Sequence, residues 1–258
     1  MPQFRVEFHS HCQGDPVDTY LRHSIYEHID AAKAAGLDAI AITWHRKVCT
    51  DKAAFEYGRK KGVLVIPGME AEVDRRHLVV INLADGDLPP EPTWSQVRAL
   101  RLRKPEVLVM APHPFYPHPC CLGTTMTAHA DCIDAVEWAR LHVNWLPGRV
   151  NPNLRAAHWA HQHGKTLLAC SDSHTVQTIG TNASTVEADE LTTEAILGGI
   201  RAGRVTFHRK SLEMGKLIFE TSKAMSSQPR HISRWARAKV RSFRRDRTAS
   251  PSGTPEIS

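Results

Sequence analysis

The chain has 258 residues, 41% of them apolar and 23% charged, enough for one full-sized domain with its own core. No run approaches the roughly 20 apolar residues needed to cross a bilayer, and the opening MPQFRVEFHSH lacks the apolar centre of a secretory leader, so a cytoplasmic location is expected. The net charge of +6 belongs wholly to residues 230–258, where eight Lys and Arg face only Asp246 and Glu256; the neutral body carries no signature of a nucleic-acid-coating protein.

Short apolar strands alternate with helical stretches along the body. A strand is predicted at Phe4–Phe8, then a helix over Val17–Ala35 closed by Gly36. A strand at Ala39–Thr43 follows, then a helix at Asp51–Lys61 stopped by Gly62, and strands at Val63–Ile66 and Leu78–Leu83. The helix Trp94–Arg103 leads to strands at Val107–Ala111 and Ala135–Trp138. The helix Asn153–His163 before Gly164, a strand at Thr166–Ala169 and a helix at Thr192–Ala202 before Gly203 complete the set. Start signals and glycine stops of this kind delimit helices. Strands rich in Val, Ile and Leu, apolar on both faces, suit a buried parallel sheet. Seven strands in one body of residues 1–225 suit a closed or nearly closed α/β barrel, with a doubly wound open sheet as the alternative.

From residue 226 to 258 the chain turns basic and then Ser/Pro/Gly-rich, the composition of a disordered tail. Trp235, Ala236, Val240 and Phe243 fall on one face of a basic helix suited to an anionic membrane or nucleic acid; a solubilising extension is the other reading. Six cysteines show no CxxC and no disulfide framework. The adjacent Cys120 and Cys121 read as two small half-buried loop residues, with a redox or metal role as the alternative.

Sixteen histidines are the compositional anomaly, and they gather at strand ends. The first strand ends in His9-Ser10-His11, an i, i+2 pair that faces one side. Asp15 follows in the next loop. Trp44-His45 ends the second strand and Glu70 the third; His77 opens the next. His113 follows Ala111-Pro112, Glu137 lies in the sixth strand, and Asp172-Ser173-His174 ends the last. Each alone has a structural explanation. Together, on successive strand ends, they converge as barrel active sites do.

This ordered set resembles the PHP (polymerase and histidinol phosphatase) family of metal-dependent phosphoesterases. The matching segments are VEFHSHCQGDP, GLDAIAITWH, VLVIPGMEAEV with His77 after it, APHP, DAVEWA and CSDSHT followed by IGTN. The resemblance implies an irregular seven-stranded (β/α)7 TIM-like barrel with two or three divalent metal ions (Zn, Mn or Fe) at its C-terminal mouth. It implies that His9, His11, Glu70 and Asp172 hold a first ion, that Glu70 bridges to a second held by His77 and His113, and that Asp15, His45 and His174 hold a third. Glu70, Asp172 and His174 are then the catalytic groups, and Glu137 a supporting one. The family's second motif ends in Asp-His where this chain has Trp44-His45, so Trp44 either replaces a lost supporting carboxylate or stacks on a substrate ring.

The implied chemistry is hydrolysis of a phosphomonoester, a small metabolite or nucleotide, by a metal-activated hydroxide. Metals about 3.5–4 Å apart clamp the phosphoryl oxygens, and the cationic pocket favours a phosphate dianion. Arg46, Arg140 and Arg149 are candidate phosphate-binding cations. An exonuclease-type phosphodiesterase acting on oligonucleotides and a degenerate, non-catalytic anion-binding module are the alternatives. No P-loop, GxGxxG or GxSxG is present.

Overall fold

A computed structural model describes residues 1–140, 148 and 150–207. Nine strands occur among them: β1 (Gln3–Glu7), β2 (Ala39–Ile42), β3 (Leu64–Val73), β4 (Arg76–Ile81), β5 (Leu108–Ala111), β6 (Ala135–Ala139), β7 (Thr166–Cys170), β8 (Ser184–Glu187) and β9 (Val205–Thr206). They form one sheet in the order β7-β6-β5-β4-β3-β2-β1-β8-β9. Five α-helices accompany them: α1 (Ile25–Ala34), α2 (Lys52–Lys61), α3 (Trp94–Arg103), α4 (Pro152–Gln162) and α5 (Thr193–Arg201). No helix among the described residues is long and apolar enough to cross a membrane. The basic segment from residue 226 lies outside the described residues.

One buried cluster takes Val6, Ala41, Ile66, Val79, Met110, Ala135, Leu168 and Val186, one residue from each of β1 to β8, together with Ile196 and Ile200 of α5. Strands at opposite ends of a sheet share a core only if the sheet curls round on itself. The expected barrel is therefore present and nearly closed. Its seam is made without a β7–β1 ladder. The Ser171 N–H donates to the Glu7 carboxylate (2.9 Å to Oε1), the His11 N–H to the Ser173 carbonyl (2.9 Å), and the Ala169 N–H to Ser184 Oγ on β8 (2.8 Å).

Two departures from the predicted elements bear on the site. The strand count is nine rather than seven, and the sheet is mixed: β4 runs antiparallel to both β3 and β5. The reason is a two-residue hairpin at Asp74 and Arg75, both at positive φ (49° and 62°), as a type I′ turn requires. Because β4 runs backwards, its N-terminal end lies at the barrel mouth and carries His77 there. The helix predicted from Val17 instead starts at Ile25, where Ser24 and Glu27 form a reciprocal capping box. Residues 17–24 stay in a loop because Asp15 Oδ1 accepts the Val17 and Asp18 N–H groups (2.8 and 3.0 Å).

Candidate metal centre

Six strands, β1 to β5 and β7, deliver side chains to one point at the mouth. Between His9 and His11, Ser10 is pinned on both sides: its N–H donates to Thr43 Oγ1 (3.0 Å) and its hydroxyl to the Ala41 carbonyl (2.8 Å). The two imidazoles are thereby fixed as fully buried groups. His45 and Glu70 are joined by an isolated parallel bridge. His113 and Asp172, just past β5 and β7, both adopt positive φ (30° and 47°), a conformation that costs a non-glycine residue energy and concentrates at functional sites.

Glu70 is the hub. Its Oε2 lies 3.3 Å from His9 Nε2, 3.3 Å from His11 Nε2 and 3.1 Å from His45 Nε2. Its Oε1 lies 2.6 Å from His77 Nδ1 and 3.5 Å from His113 Nε2. One carboxylate thus divides five imidazoles into two groups, one per oxygen. Asp172 Oδ1 adds contacts at 3.4 Å to both His9 Nε2 and His11 Nε2, and lies 3.6 Å from His174 Nδ1.

Proximity here is not hydrogen bonding. His9 Nε2, His11 Nε2, Glu70 Oε1 and His77 Nδ1 are buried, yet none has a hydrogen-bond partner. A buried polar atom left unpaired costs about 1–3 kcal/mol, and four of them aimed at each other form a donor set that a cation would satisfy. Imidazole nitrogens and carboxylate oxygens are the donors that Zn, Mn and Fe accept, and the residues fit such a cation. Charge agrees. Burial disfavours the His9 imidazolium, but Asp172, Glu70 and Glu137 outweigh it and push His9 up to about 10. Burial also opposes the Glu70 carboxylate, yet His77, His45 and His9 hold it well below the usual range. The carboxylates demand positive charge, which protons or metal ions can supply.

Supporting groups orient the rings. Glu137 Oε1 lies 3.3 Å from His9 Nδ1, and its Oε2 accepts the His113 N–H (2.5 Å). Asp15 Oδ2 lies 2.9 Å from the Nδ1 atoms of both His11 and His45 and accepts the His45 N–H. With Oδ1 on Val17 and Asp18, Asp15 has both oxygens occupied by the protein. Asp15, expected as a direct ligand, meets His11 and His45 through their Nδ1 atoms, and falls with them and Asp18 in one group of donor atoms that could hold an ion. Asp18, overlooked in the sequence, also faces the third group: its Oδ2 lies 2.8 Å from His174 Nε2 and 3.8 Å from His45 Nδ1. The loop length between His11 and these two aspartates gave no means of choosing.

The expected substrate contacts fare differently. Trp44 is buried in the apolar cluster that holds Ile25, Ile42 and Val65, and its Nε1 lies 3.3 Å from Cys12 Sγ; it is turned away from the mouth. Adjacent strand residues point to opposite faces, so with His45 aimed at Glu70 its neighbour must point away. Arg46 is engaged by Glu72 and by Glu91 (3.3 Å), which leaves it poorly placed for a phosphate. Arg140 reaches the wall of the site, its Nε donating to the Ser171 carbonyl (3.2 Å). Arg149 lies outside the described residues. Tyr20, half-exposed, is a group sequence reading missed: burial and the charge of Asp18 push its hydroxyl up to about 12, with His11 and Asp172 also felt.

The PHP-associated family model matches residues 150–205, from the start of α4 to β9. The structure is similar to that of a two-domain protein from Bacteroides vulgatus containing a predicted PHP-like metal-dependent phosphoesterase (TM-score 0.57, 21% identity, 80% of this chain and 65% of that one). The chain has a PHP-type fold. The PHP resemblance carried by the strand-end motifs therefore stands. The structure is also similar to that of PsfC from Pseudomonas syringae (TM-score 0.56, 17% identity, 88% of this chain and 99% of that one). It is similar as well to that of a lesion-specific endonuclease from Pyrococcus furiosus (TM-score 0.54, 15% identity, 80% of this chain and 58% of that one). The chain spans less than two thirds of the length of the Bacteroides and Pyrococcus proteins. No curated protein matches the sequence.

Proposed function

We propose that the protein is a metal-dependent phosphoesterase that removes a terminal phosphoryl group from a small metabolite or nucleotide. The observation that carries this reading is the convergence of buried, unpaired His and Glu donor atoms on the two oxygens of Glu70. In this reading His9, His11 and Asp172 share one cation with Glu70 Oε2, while His77 and His113 share a second with Oε1. His45, His174 and Asp18 form the third group. Divalent cations held there would supply Lewis acidity and a water of lowered pKa.

The chain's own contribution is positioning. Glu70 fixes the spacing between the two ion positions, and Asp15 and Glu137 lock ring orientations through the opposite nitrogens, the arrangement that sets ligand basicity. His9, His11 and Glu70 are at most 2% exposed, whereas His77, His174 and Asp172 are 22%, 28% and 33% exposed at the side chain. In this reading the reacting centre lies at the floor of the mouth, beneath the more exposed His77, His174 and Asp172. A terminal phosphoryl group reaches such a floor more readily than an internal diester flanked by chain on both sides, which favours the monoester over an oligonucleotide.

The test is a panel of phosphomonoesters, a bis-ester and a short oligonucleotide, assayed with Mn, Zn and Fe after metal analysis of the gently purified protein. The expected result is two or three ions per chain and turnover of monoesters above diesters. Full metal content with no turnover on any member of the panel would leave a non-catalytic anion-binding module. Preferential cleavage of the oligonucleotide would replace the monoester by a diester.

A further inference from the structure

The adjacent thiols Cys120 and Cys121 have no part in the reading above, yet they sit against it. The Cys120 carbonyl accepts the His77 N–H (2.7 Å), and the Arg76 guanidinium donates to the Cys121 carbonyl. The turn that carries both cysteines is thus stitched to the start of β4, the strand that brings His77 to the mouth. The two sulfurs then take different surroundings. Cys121 is buried, with Sγ 3.3 Å from His113 Nδ1, the nitrogen opposite the one that faces Glu70. Cys120 is part-exposed; its Sγ lies 2.8 Å from His118 Nδ1. It also forms, with one nitrogen of His77 and one of His113, a trio of donor atoms within 4.8 Å of one another.

A second observation points to the same place. His77 Nδ1 and Glu70 Oε1 are buried and unpartnered although only 2.6 Å apart, so their lone pairs face a shared point rather than each other. We propose that Cys120 is a thiolate ligand of the second ion position, alongside His77, His113 and Glu70 Oε1, and that Cys121 orients His113. This rests on the reading of the cluster as a metal centre. It replaces the expectation of a purely His and carboxylate donor set, and it gives the vicinal pair a division of labour: one sulfur holds the ion, the other holds a ligand.

The chemistry has two consequences. A soft thiolate donor draws this position towards Zn and away from Mn or Mg, which oxygen donors suit better. Ligation also requires Cys120 to bind as the thiolate, so uptake of the cation at this position releases a proton.

Cobalt(II) loading tests the assignment, because a thiolate ligand gives a sulfur-to-cobalt charge-transfer band in the near ultraviolet and nitrogen or oxygen ligands do not. The band is expected in the wild type and in Cys121→Ser, absent in Cys120→Ser, and accompanied in Cys121→Ser by a metal affinity weakened about 10–100-fold. X-ray absorption at the zinc edge of the wild-type protein should show a sulfur scatterer, a readout that needs no variant to fold. Bound cobalt with ligand-field bands only, or a band that survives Cys120→Ser, overturns the thiolate assignment and leaves the metal centre standing. A protein that takes up no cobalt overturns both.

Discussion

The indole of Trp44 fills the space that a side chain on Gly14 would need: a Cβ at Gly14 would lie 2.8 Å from Trp44 Cζ2, and Gly14 sits at φ +107°. The tryptophan therefore packs on the loop between His11 and Asp15, and Asp15 in turn grips His11 and His45. The sequence left Trp44 either as the replacement of a lost supporting carboxylate or as a group that stacks on a substrate ring; its burial among apolar side chains bears on both. An aspartate at 44 would bury a charge in an apolar cluster and empty the space beside Gly14. Losses of about 3–5 kcal/mol accompany removal of a buried aromatic, and an unpaired buried charge adds to that. Thermal melts should show a strongly lowered midpoint, and metal titration should show weaker rather than tighter binding.

Glu70→Gln removes the one charge that both groups of imidazoles face, with little change in shape. Turnover should fall by more than about 10²-fold, on the scale of losing a key electrostatic group in a buried site, and metal content should fall with it. Wild-type turnover at full metal content would show that Glu70 does not bridge.

Asp15 and Asp18 should separate cleanly. Asp15→Asn leaves acceptors for the backbone N–H groups but weakens the hold on His11 and His45, so affinity at more than one ion position should drop by about 10–100-fold. Asp18→Asn touches only the His45 and His174 group, so one ion should be lost while the others remain. Competitive chelator titration with metal counting distinguishes the two patterns.

Chelation should also lower stability. Ions that bind only the folded chain stabilise it, by about 2.7 kcal/mol at a free concentration 100 times Kd. For a domain of this size that is a rise of about 5–10 °C in Tm. Calorimetry before and after dialysis against a chelator, then after adding back Zn or Mn, measures it; no change in either direction would count against a buried metal cluster.

Tyr20 is the exposed aromatic at the mouth that Trp44 is not. If the natural substrate carries a base or ring, Tyr20→Ala should raise KM for nucleotides about 5–150-fold, the equivalent of about 1–3 kcal/mol of stacking. KM for a non-aromatic phosphate should stay unchanged. Equal effects on both substrates would assign Tyr20 a role in shaping the loop.

Much of this was legible because strands and ligands announce themselves locally. The i, i+2 pairs at His9 and Asp172, the apolar runs before them and the capping signals of α2 and α3 lie within a few residues, and the elements they predict match the structure closely. What escaped depends on distance or on backbone sign. The β3–β4 hairpin turns on two positive φ values at Asp74 and Arg75, neither a glycine. Strands β8 and β9 are short, and β8 is defined by pairing with β1, at the far end of the described chain. The choice between Asp15 and Asp18 needed to know which oxygens the backbone had already taken. The side on which Trp44 lies was readable in principle, since it neighbours a ligand in a strand.

The seam of the barrel sets the order in which the centre can come into being. His9 and His11 stand on one edge of it and Asp172 on the other, and the hydrogen bond that closes it, from Ser171 to Glu7, joins residues 164 positions apart. Contacts of such long range must overcome loop-closure entropy before they stabilise anything, and they slow folding. The Glu70, His77 and His113 group, by contrast, is built from consecutive strands. The second ion position can therefore form around β3 to β5 early, while the position that needs both edges waits until the last strand has docked. Metal loading should follow that sequence, with one ion taken up by a partly folded intermediate and the other only as the barrel closes.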